Sequence, residues 1–207
     1  MRIIALSDTH GFQSVAVPDG DVLVMAGDST SHGTTMQMIA FINWFEQFPH
    51  KHKIYVAGNH DAAVFKRPEF IVPLMESGGI TYLIDQEIVI DGVKFYGSPW
   101  MPEYNNWHFM LDRGSEELAK ARRDIPEDTE VLITHCPPYG ILDYSITRVF
   151  YGCEVLRERI DSGLRNLKAH IFGHIHEQHG SRHGMFYNVA ICNRSYEPVN
   201  PSTVVDI

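Results

Sequence analysis

The sequence predicts a mixed α/β fold. Short continuous apolar runs bounded by Asp or Gly are typical of strands buried on both faces. Such runs occupy residues 2–8, 21–27, 53–58 and 131–134. Apolar residues at helical spacing from Thr34 to Phe48, followed by Pro49, predict a helix that links two parallel strands. An Asp-Gly pair inside residues 87–98 predicts a hairpin, so antiparallel pairing is expected as well.

The second half of the chain continues the alternation. Helical periodicity predicts helices at Glu116–Arg123 and Cys153–Leu167. Further strands are expected at residues 169–173, 185–192 and 203–207. Residues 100–113 are rich in Trp, Tyr, Asn and Pro without a clear period, which predicts a long loop, and loops of that length are often part of a site.

Composition narrows the class of protein. A chain of 207 residues that is 44% hydrophobic fits a single domain over residues 1–207. The net charge of −9, with no block of Lys or Arg, argues against a long nucleic acid as partner. Three cysteines without a Cys-x-x-Cys pair, and no apolar run of signal-peptide or membrane-span length, predict a cytoplasmic protein without a membrane partner. Monomer and homodimer remain open.

Five polar clusters, each at the end of an apolar run, carry the functional information. Asp, Asn and His suit divalent Mn, Fe or Zn, and strand ends hold such ligands rigidly. The clusters are Ser-Asp-Thr-His with Asp8 and His10, Gly-Asp with Asp28, Gly-Asn-His-Asp with Asn59 and His60, Thr-His-Cys with His135, and Gly-His-Ile-His with His174 and His176.

The clusters together predict a site for two metal ions. A dinuclear hydrolase needs one ligand that both ions share, with the ions roughly 3.5–4 Å apart and a hydroxide between them. Asp28 is the natural bridge, because one carboxylate can give an oxygen to each ion. We assign Asp8, His10 and His176 to the first ion, and Asn59, His135 and His174 to the second. Residues two apart in an extended segment point the same way, so Asp8 with His10, and His174 with His176, can face one cavity.

Charge and spacing predict an anionic substrate and a general acid. Two divalent ions, less two carboxylates and a hydroxide, leave a site of about +1, which attracts a phosphate ester. His60 directly follows a metal ligand, which is the placement expected of the acid that protonates a leaving alkoxide. We therefore expect Asp28, Asn59 and His60 to act in catalysis, and Asp61 either to orient His60 or to lie exposed in a turn.

The order Asp-x-His, Gly-Asp, Gly-Asn-His-Asp, His and Gly-His-x-His resembles the calcineurin-like metallophosphoesterases over nearly the whole chain. This resemblance implies an α/β/β/α sandwich of two mixed β-sheets flanked by helices. Residues 96–100, the Ile-Thr-His-Cys-Pro-Pro segment and Phe-Gly-His-Ile-His-Glu resemble its MPPED-type branch more narrowly. That similarity implies two divalent ions, Mn²⁺ or Fe with Zn²⁺ as a further candidate, and hydrolysis of small phosphodiesters such as cyclic nucleotides or aryl diesters.

Other functions stay open. The protein Ser/Thr phosphatases extend the second cluster to Gly-Asp-x-Val-Asp-Arg-Gly, whereas this chain reads Gly-Asp-Ser-Thr-Ser-His-Gly at residues 27–33. The missing Arg favours a monoanionic diester over a dianionic monoester. A non-catalytic metal-binding scaffold, a phosphomonoesterase and a nuclease are the alternatives, and the general acid His60 speaks against the scaffold.

Candidate substrate-binding residues lie in two loops. Trp100, Asn106 and Trp107 belong to the 100–113 loop, which is expected either to stack on a nucleobase or to pack as the underside of the loop. Tyr139, which follows Pro137 and Pro138, is expected to border the pocket.

Overall fold

The computed structural model describes residues 1–180 and 182–207, and it contains two large mixed β-sheets. The first sheet has the strand order β13-β1-β2-β3-β4, in which only β13 is antiparallel to its neighbour. Its strands are β1 (Arg2–Leu6), β2 (Val22–Ala26), β3 (His52–Val56), β4 (Ile80–Tyr82) and β13 (Thr203–Asp206).

The second sheet has the order β11-β12-β10-β9-β6-β5, with antiparallel pairs at both edges and parallel pairs between them. Its strands are β5 (Gln86–Ile90), β6 (Val93–Ser98), β9 (Val131–Thr134), β10 (Ala169–Phe172), β11 (Arg182–His183) and β12 (Phe186–Asn188). The predicted hairpin is the β5–β6 pair, and its turn residues Asp91 and Gly92 have positive φ angles of 48° and 84°, as a two-residue hairpin turn requires.

The helices begin with the caps that the sequence offers. Helix α1 (Thr35–Phe45) has a capping box in which Thr34 and Gln37 satisfy each other's backbone N–H groups, and it links the parallel strands β2 and β3 as predicted. Helix α4 (Glu116–Arg123) has the predicted bounds and is capped by Ser115. Helix α5 (Glu154–Gly163) ends earlier than predicted, and Leu164 and Leu167 beyond its end are buried in the same core as the helix.

Three hydrophobic cores separate four layers. One core packs α1 and the helix at Pro68–Ser77 against the first sheet, with Phe41 and Met75 contacting strand residues such as Met25. A second core lies between the two sheets, and a third packs α4 and α5 against the second sheet through residues such as Leu118 and Leu156. The α/β/β/α sandwich implied by the sequence is therefore confirmed.

Some elements were not predicted. Helices α2 (Ala62–Lys66) and α3 (Pro68–Ser77) precede β4, where the sequence carries no clear helical period and a proline, Pro73, lies inside α3. The 100–113 loop contains two short parallel strands, β7 (Met101–Pro102) and β8 (Met110–Leu111). Among the described residues, no helix has the length and apolar character needed to cross a membrane.

Candidate metal centre

The predicted ligands lie where parallel strands of both sheets end at the same edge of the sandwich. Ligand sites at the carboxyl ends of parallel strands are a general property of α/β sheets. Asp8 follows β1, Asp28 follows β2, Asn59 follows β3, His135 follows β9, and His174 and His176 follow β10. All of these residues except His174 and His176 are buried.

Four of the predicted ligands have left-handed backbones. The φ angles of Asp8, His10, Asp28 and His174 lie between 46° and 68°. Such strained conformations cluster at functional sites. The expectation that Asp8–His10 and His174–His176 are extended is therefore wrong, and turns aim these side chains into the cavity instead.

The first ligand group consists of Asp8, His10 and His176, whose ligand atoms lie within 4.8 Å of one another. His176 Nε2 is 3.3 Å from Asp8 Oδ1 and 3.1 Å from His10 Nε2. His176 Nδ1 lies 2.9 Å from the carbonyl oxygen of Asn193, which fixes the tautomer that presents Nε2 to the cavity.

The second ligand group consists of Asp28, His135 and His174. His135 Nε2 is 3.2 Å from Asp28 Oδ2, and His135 Nδ1 lies 2.8 Å from the carbonyl oxygen of Ala26. His10 Nε2 is 3.9 Å from that same Asp28 oxygen, so Asp28 lies between the two groups. The first group holds the three residues assigned to the first ion, and the second holds His135 and His174 with Asp28. A third set, His10, Asp28 and His60, also has its ligand atoms within 4.8 Å of one another.

The donor set fits divalent metal ions. The amide oxygen of Asn59 is buried without a hydrogen-bond partner among the described residues, and buried Nε2 of His135 faces Asp28 Oδ2 at 3.2 Å without a well-aligned hydrogen bond. A buried polar atom left unsatisfied is costly, and a metal ion would satisfy both atoms. Imidazole and carboxylate ligands around a shared carboxylate suit Mn, Fe or Zn.

Burial and mutual charge set the pKa values of the metal-free site. Burial opposes charge on His135, but the Asp28 and Asp8 carboxylates overcome it and raise the pKa of His135 to about 10. Burial would raise the pKa values of Asp8 and Asp28, yet His135 holds both well below their usual range. Burial lowers the pKa of His10 to about 4 and that of His174 to about 3.

Three glycines allow the strand ends to approach one another. A Cβ atom on Gly173 would lie 2.1 Å from Asp8 Oδ2, one on Gly58 would lie 2.2 Å from Asp28 Oδ1, and one on Gly27 would lie 2.4 Å from His135 Nδ1. Of the three, only Gly27 also needs a positive φ angle, 95°. The other two glycines are required by close contact with a ligand rather than by a turn.

His60 lies beside both ligand groups. Its ring centroid is 4.7 Å from that of His10, and its backbone N–H donates to Asp28 Oδ1 at 2.8 Å. His60 Nδ1 lies 2.7 Å from the carbonyl oxygen of Ser31. That hydrogen bond takes the Nδ1 proton, so Nε2 is the atom available to the cavity that His60 lines.

Asp61 neither contacts the His60 imidazole nor lies exposed, so neither expectation for it holds. It is fully buried and accepts hydrogen bonds from Ser29 Oγ at 2.8 Å, Thr30 N at 3.1 Å and Gly58 N at 2.9 Å. Asp61 thereby joins the loop after β2 to the loop after β3.

Two of the predicted substrate-binding residues lie away from the site. The Trp100 indole donates a hydrogen bond to Asp85 at 2.6 Å and lines a different cavity, so its predicted role in substrate binding is wrong. Tyr139 packs against Phe150 and lines a groove along α5, so its predicted place at the pocket is wrong as well. Both are aromatic residues used for packing, a role that sequence alone does not distinguish from stacking on a ligand.

The other two lie in the turn nearest the site. Asn106 is exposed, with a φ angle of 52°, and does not line the cavity. Trp107 stacks on His60, with ring centroids 4.2 Å apart, and is 40% exposed.

The ligand groups open into a cavity of about 350 Å³ whose outer wall was not predicted. The unpredicted lining residues are polar or aromatic, apart from Ile175. They are Ser145, Tyr151, Ile175, Glu177, Arg194 and Tyr196, and Tyr104 of the 100–113 loop, which was expected to be part of a site, lines the cavity beside them. Arg194 and Tyr196 follow Cys192, which ends the apolar run 189–192. Ala190 of this run forms a bridge with Ser7 beside β1, so the run ends at the same edge as the ligands. That apolar run was the sequence signal that could have pointed to these two residues.

Comparison with known proteins agrees with this geometry. The family model described as Calcineurin-like phosphoesterase matches residues 1–178. Metallophosphoesterase domain-containing protein 1 of Homo sapiens is 34% identical over 234 residues, covering 100% of this chain and 71% of that protein. UPF0046 protein K07C11.7 of Caenorhabditis elegans is 40% identical over 214 residues, covering 94% of this chain and 71% of that protein. A solved structure with 14% identity and a TM-score of 0.62 over 84% of each chain is similar in fold.

Proposed function

Because the chain belongs to the calcineurin-like phosphoesterase family, and within it to the metallophosphoesterase-domain branch, we propose that it is a phosphodiesterase that acts on small diesters. Membership of the family supports a metal-dependent phosphoester hydrolase as the broad activity. Cyclic nucleotides and aryl or alkyl phosphodiesters are the substrates proposed here.

The proposed ligands are those that the two groups bring together. Asp8, His10 and His176 would hold the first ion, Asn59, His135 and His174 the second, and Asp28 both. Mn²⁺ or Fe suits this set, and Zn²⁺ is a further candidate. Two bound ions supply an activated water as nucleophile and stabilise charge on the phosphoryl oxygens.

The observation that carries the proposal is the geometry of His60. The Ser31 carbonyl fixes Nδ1 at 2.7 Å, so the ring is held with Nε2 available to the cavity, next to both ligand groups. A protonated Nε2 can donate to the leaving oxygen, which is the role of a general acid. Asn59 and Asp28 lie directly beside it, and the Asp28 carboxylate accepts the His60 backbone N–H.

The loop after Asp28 favours a diester. It contains no Arg between Gly27 and Gly33. Ser29 and Thr30 direct their hydroxyl groups to Asp61, and His32 is exposed. The loop therefore lacks the cation that would compensate the second charge of a phosphomonoester.

The proposal is tested by hydrolysis of bis(p-nitrophenyl) phosphate and of p-nitrophenyl phosphate, with metal-free protein and with protein reloaded with Mn²⁺. We expect diester turnover that requires the metal and exceeds monoester turnover. His60→Ala should lower turnover by roughly 10²-fold or more on diesters with a poor leaving group. His52→Ala is the matched control, since His52 begins β3 at the opposite end from the site.

The alternatives make different predictions. Metal binding without hydrolysis of either ester would indicate a scaffold. Faster monoester turnover would indicate a phosphomonoesterase. Cleavage of oligonucleotides without cleavage of small diesters would indicate a nuclease.

A further inference from the structure

One loop of the cavity wall is built on a single asparagine. Asn193 Oδ1 accepts hydrogen bonds from the backbone N–H groups of Ser195 at 2.9 Å and Glu197 at 3.1 Å. The Asn193 carbonyl accepts the Tyr196 N–H at 2.9 Å and lies 2.9 Å from His176 Nδ1. The loop of residues 193–197 is therefore closed on itself and fixed to a proposed metal ligand.

This loop presents two side chains to the cavity. Tyr196 has a φ angle of 59°, and its ring centroid lies 4.7 Å from that of His10 and 5.4 Å from that of His176. Tyr196 thus covers the first ligand group. Arg194 lines the same cavity with its side chain 50% exposed. The ordered loop gives the guanidinium a fixed base at the rim.

The Arg194 guanidinium is only weakly paired. Among the described residues, the carboxylate oxygen nearest to the guanidinium is Glu177 Oε1, which lies 4.0 Å from Arg194 Nε. That oxygen already accepts hydrogen bonds from Ser145 Oγ at 2.9 Å and from the Ile146 N–H at 3.0 Å. Glu177 is therefore held in place by other donors. It can orient the arginine, while most of the five N–H groups of the guanidinium stay available.

The charges around the cavity indicate what kind of group Arg194 could bind. Among the described residues that line the cavity, Arg194 carries the only permanent positive charge. With two divalent ions bound, the ligand groups already have a net charge of about +1. Glu177 offsets the charge of Arg194 overall, so the free N–H groups of the guanidinium, rather than surplus charge, are what would bind an anion. A guanidinium with free N–H groups binds carboxylate or phosphate oxygens in pairs.

We propose that Arg194 forms a subsite for a second anionic group of the substrate, a carboxylate or a phosphate on one arm of the phosphodiester. The scissile phosphate occupies the metal centre, and the second group lies at the rim against the Arg194 N–H groups that Glu177 does not engage. Diesters with such a group are preferred over neutral-armed diesters. The inference rests on the proposed function and names its substrate class.

The test compares two p-nitrophenyl alkyl phosphates on Mn²⁺-loaded protein. One alkyl arm is propyl, and the other ends in a carboxylate, in a series of three to five carbons. We expect kcat/KM to be about 10- to 100-fold higher for the best carboxylate, the range of a charge-assisted hydrogen bond. Arg194→Met should abolish this preference by lowering kcat/KM for the carboxylate esters towards that of the propyl ester, while Arg194→Lys keeps part of the preference as a point charge. Arg165→Met removes an exposed charge elsewhere and is the control.

Binding provides a readout that does not need turnover. Calorimetry with the corresponding non-hydrolysable phosphonates should give tighter binding of the carboxylate analogue to the loaded protein, and Arg194→Met should remove that gain. Equal losses for both arms in Arg194→Met would overturn the inference, because Arg194 would then act on the scissile phosphate. A loss confined to phosphomonoesters would overturn it as well. If no ester is hydrolysed, the proposed function fails, and the binding comparison still decides whether Arg194 selects a second anion.

Discussion

The imidazole of His60 stacks on the indole of Trp107, with ring centroids 4.2 Å apart and planes inclined at 31°. The indole lies against one face of the imidazole. At the edge of the ring, the Ser31 carbonyl oxygen holds Nδ1 of His60. Trp107 therefore restricts how the imidazole can tilt, and we interpret it as a residue that positions the general acid.

Trp107→Ala should lower kcat about tenfold on diesters with a poor leaving group, a part of the roughly 10²–10⁴-fold that a positioned acid contributes. On bis(p-nitrophenyl) phosphate, whose leaving group needs no proton, the change should be small. Trp107→Phe should restore most of the activity, because it keeps a flat ring against His60. Steady-state kinetics on both substrates, with KM and kcat separated, measures this. An increase in KM alone, independent of the leaving group, would instead support the sequence prediction that Trp107 stacks on substrate.

Gly173→Ala should remove the first ion. Its Cβ would lie 2.1 Å from both Asp8 Oδ2 and Ser7 Oγ, so the Asp8 carboxylate must move. We expect metal affinity to fall at least roughly tenfold, because even the loss of a group that only hydrogen-bonds a metal ligand costs about 10–100-fold. Calorimetric titration with Mn²⁺ and metal analysis of the purified protein measure this loss. Gly92→Ala is the control, since its Cβ would meet no atom within 4 Å. Its φ strain should cost about 1 kcal/mol of stability and leave metal binding unchanged. Normal metal affinity in Gly173→Ala would contradict the prediction.

Much of the metal centre could be predicted because it depends on topology. Polar residues that end parallel buried strands meet at one edge of a sheet, so Asp28 and Asn59 converge without any knowledge of detailed contacts. His135 follows β9 of the second sheet and joins them because the two sheets pack face to face. The local reason given for Asp8 and His10 was nevertheless wrong, since both have positive φ angles. Their backbone conformation depends on the neighbouring strand ends, which a period-two pattern does not contain.

The substrate side of the cavity could not be predicted in the same way. Trp100 and Trp107 lie in one loop, yet Trp100 binds Asp85 whereas Trp107 stacks on His60. Which aromatic residue faces the site depends on tertiary contacts between segments distant in sequence. Arg194 and Tyr196 were missed because no metal-ligand motif follows the apolar run that precedes their loop.

Asp61→Ala should destabilise the fold and loosen the site together. Its carboxylate is fully buried and accepts hydrogen bonds from Ser29, Thr30 and Gly58. Removing it leaves several buried donors unsatisfied, so the free energy of unfolding should fall by about 3–5 kcal/mol. Metal affinity should fall as well, because the loops that carry Asp28 and Asn59 lose their connection. Urea unfolding of metal-free protein and Mn²⁺ titration test both effects.

Asp61→Asn keeps the shape of the side chain and one acceptor oxygen, so it should lose less stability than Asp61→Ala. The comparison separates packing from hydrogen bonding. If the free energy of unfolding of Asp61→Ala lies within about 1 kcal/mol of the wild-type value, a single ordinary hydrogen bond explains the loss. That result would contradict the prediction that Asp61 stabilises the connection between the two loops.

His170 should make the protein sensitive to acid. It is fully buried in β10, its Nε2 lies 2.9 Å from Thr134 Oγ1, and burial with the nearby Arg122 lowers its pKa to about 3. The unfolded chain takes up this proton below its ordinary pKa of about 6.5. The neutral, folded form is therefore fully favoured above pH 6.5, and its contribution is lost as the pH falls from 6.5 towards 3. The loss should approach about 1.4 kcal/mol per pH unit from this one group.

His170→Gln tests the sign of this effect, because glutamine can keep a hydrogen bond to Thr134 but does not titrate. We expect the variant to be less stable than the wild-type protein at pH 8, since glutamine fills the space beside Phe172 and Phe186 less well than an imidazole ring. Between pH 6.5 and pH 4 the difference in unfolding free energy should shrink, because only the wild-type protein loses the His170 contribution. Urea unfolding of both metal-free proteins across this pH range measures the difference. A constant difference would contradict this prediction, because it would mean that His170 is protonated in the folded state as readily as in the unfolded chain. The two phenylalanine rings and the Arg122 charge around His170 are the reason to expect otherwise.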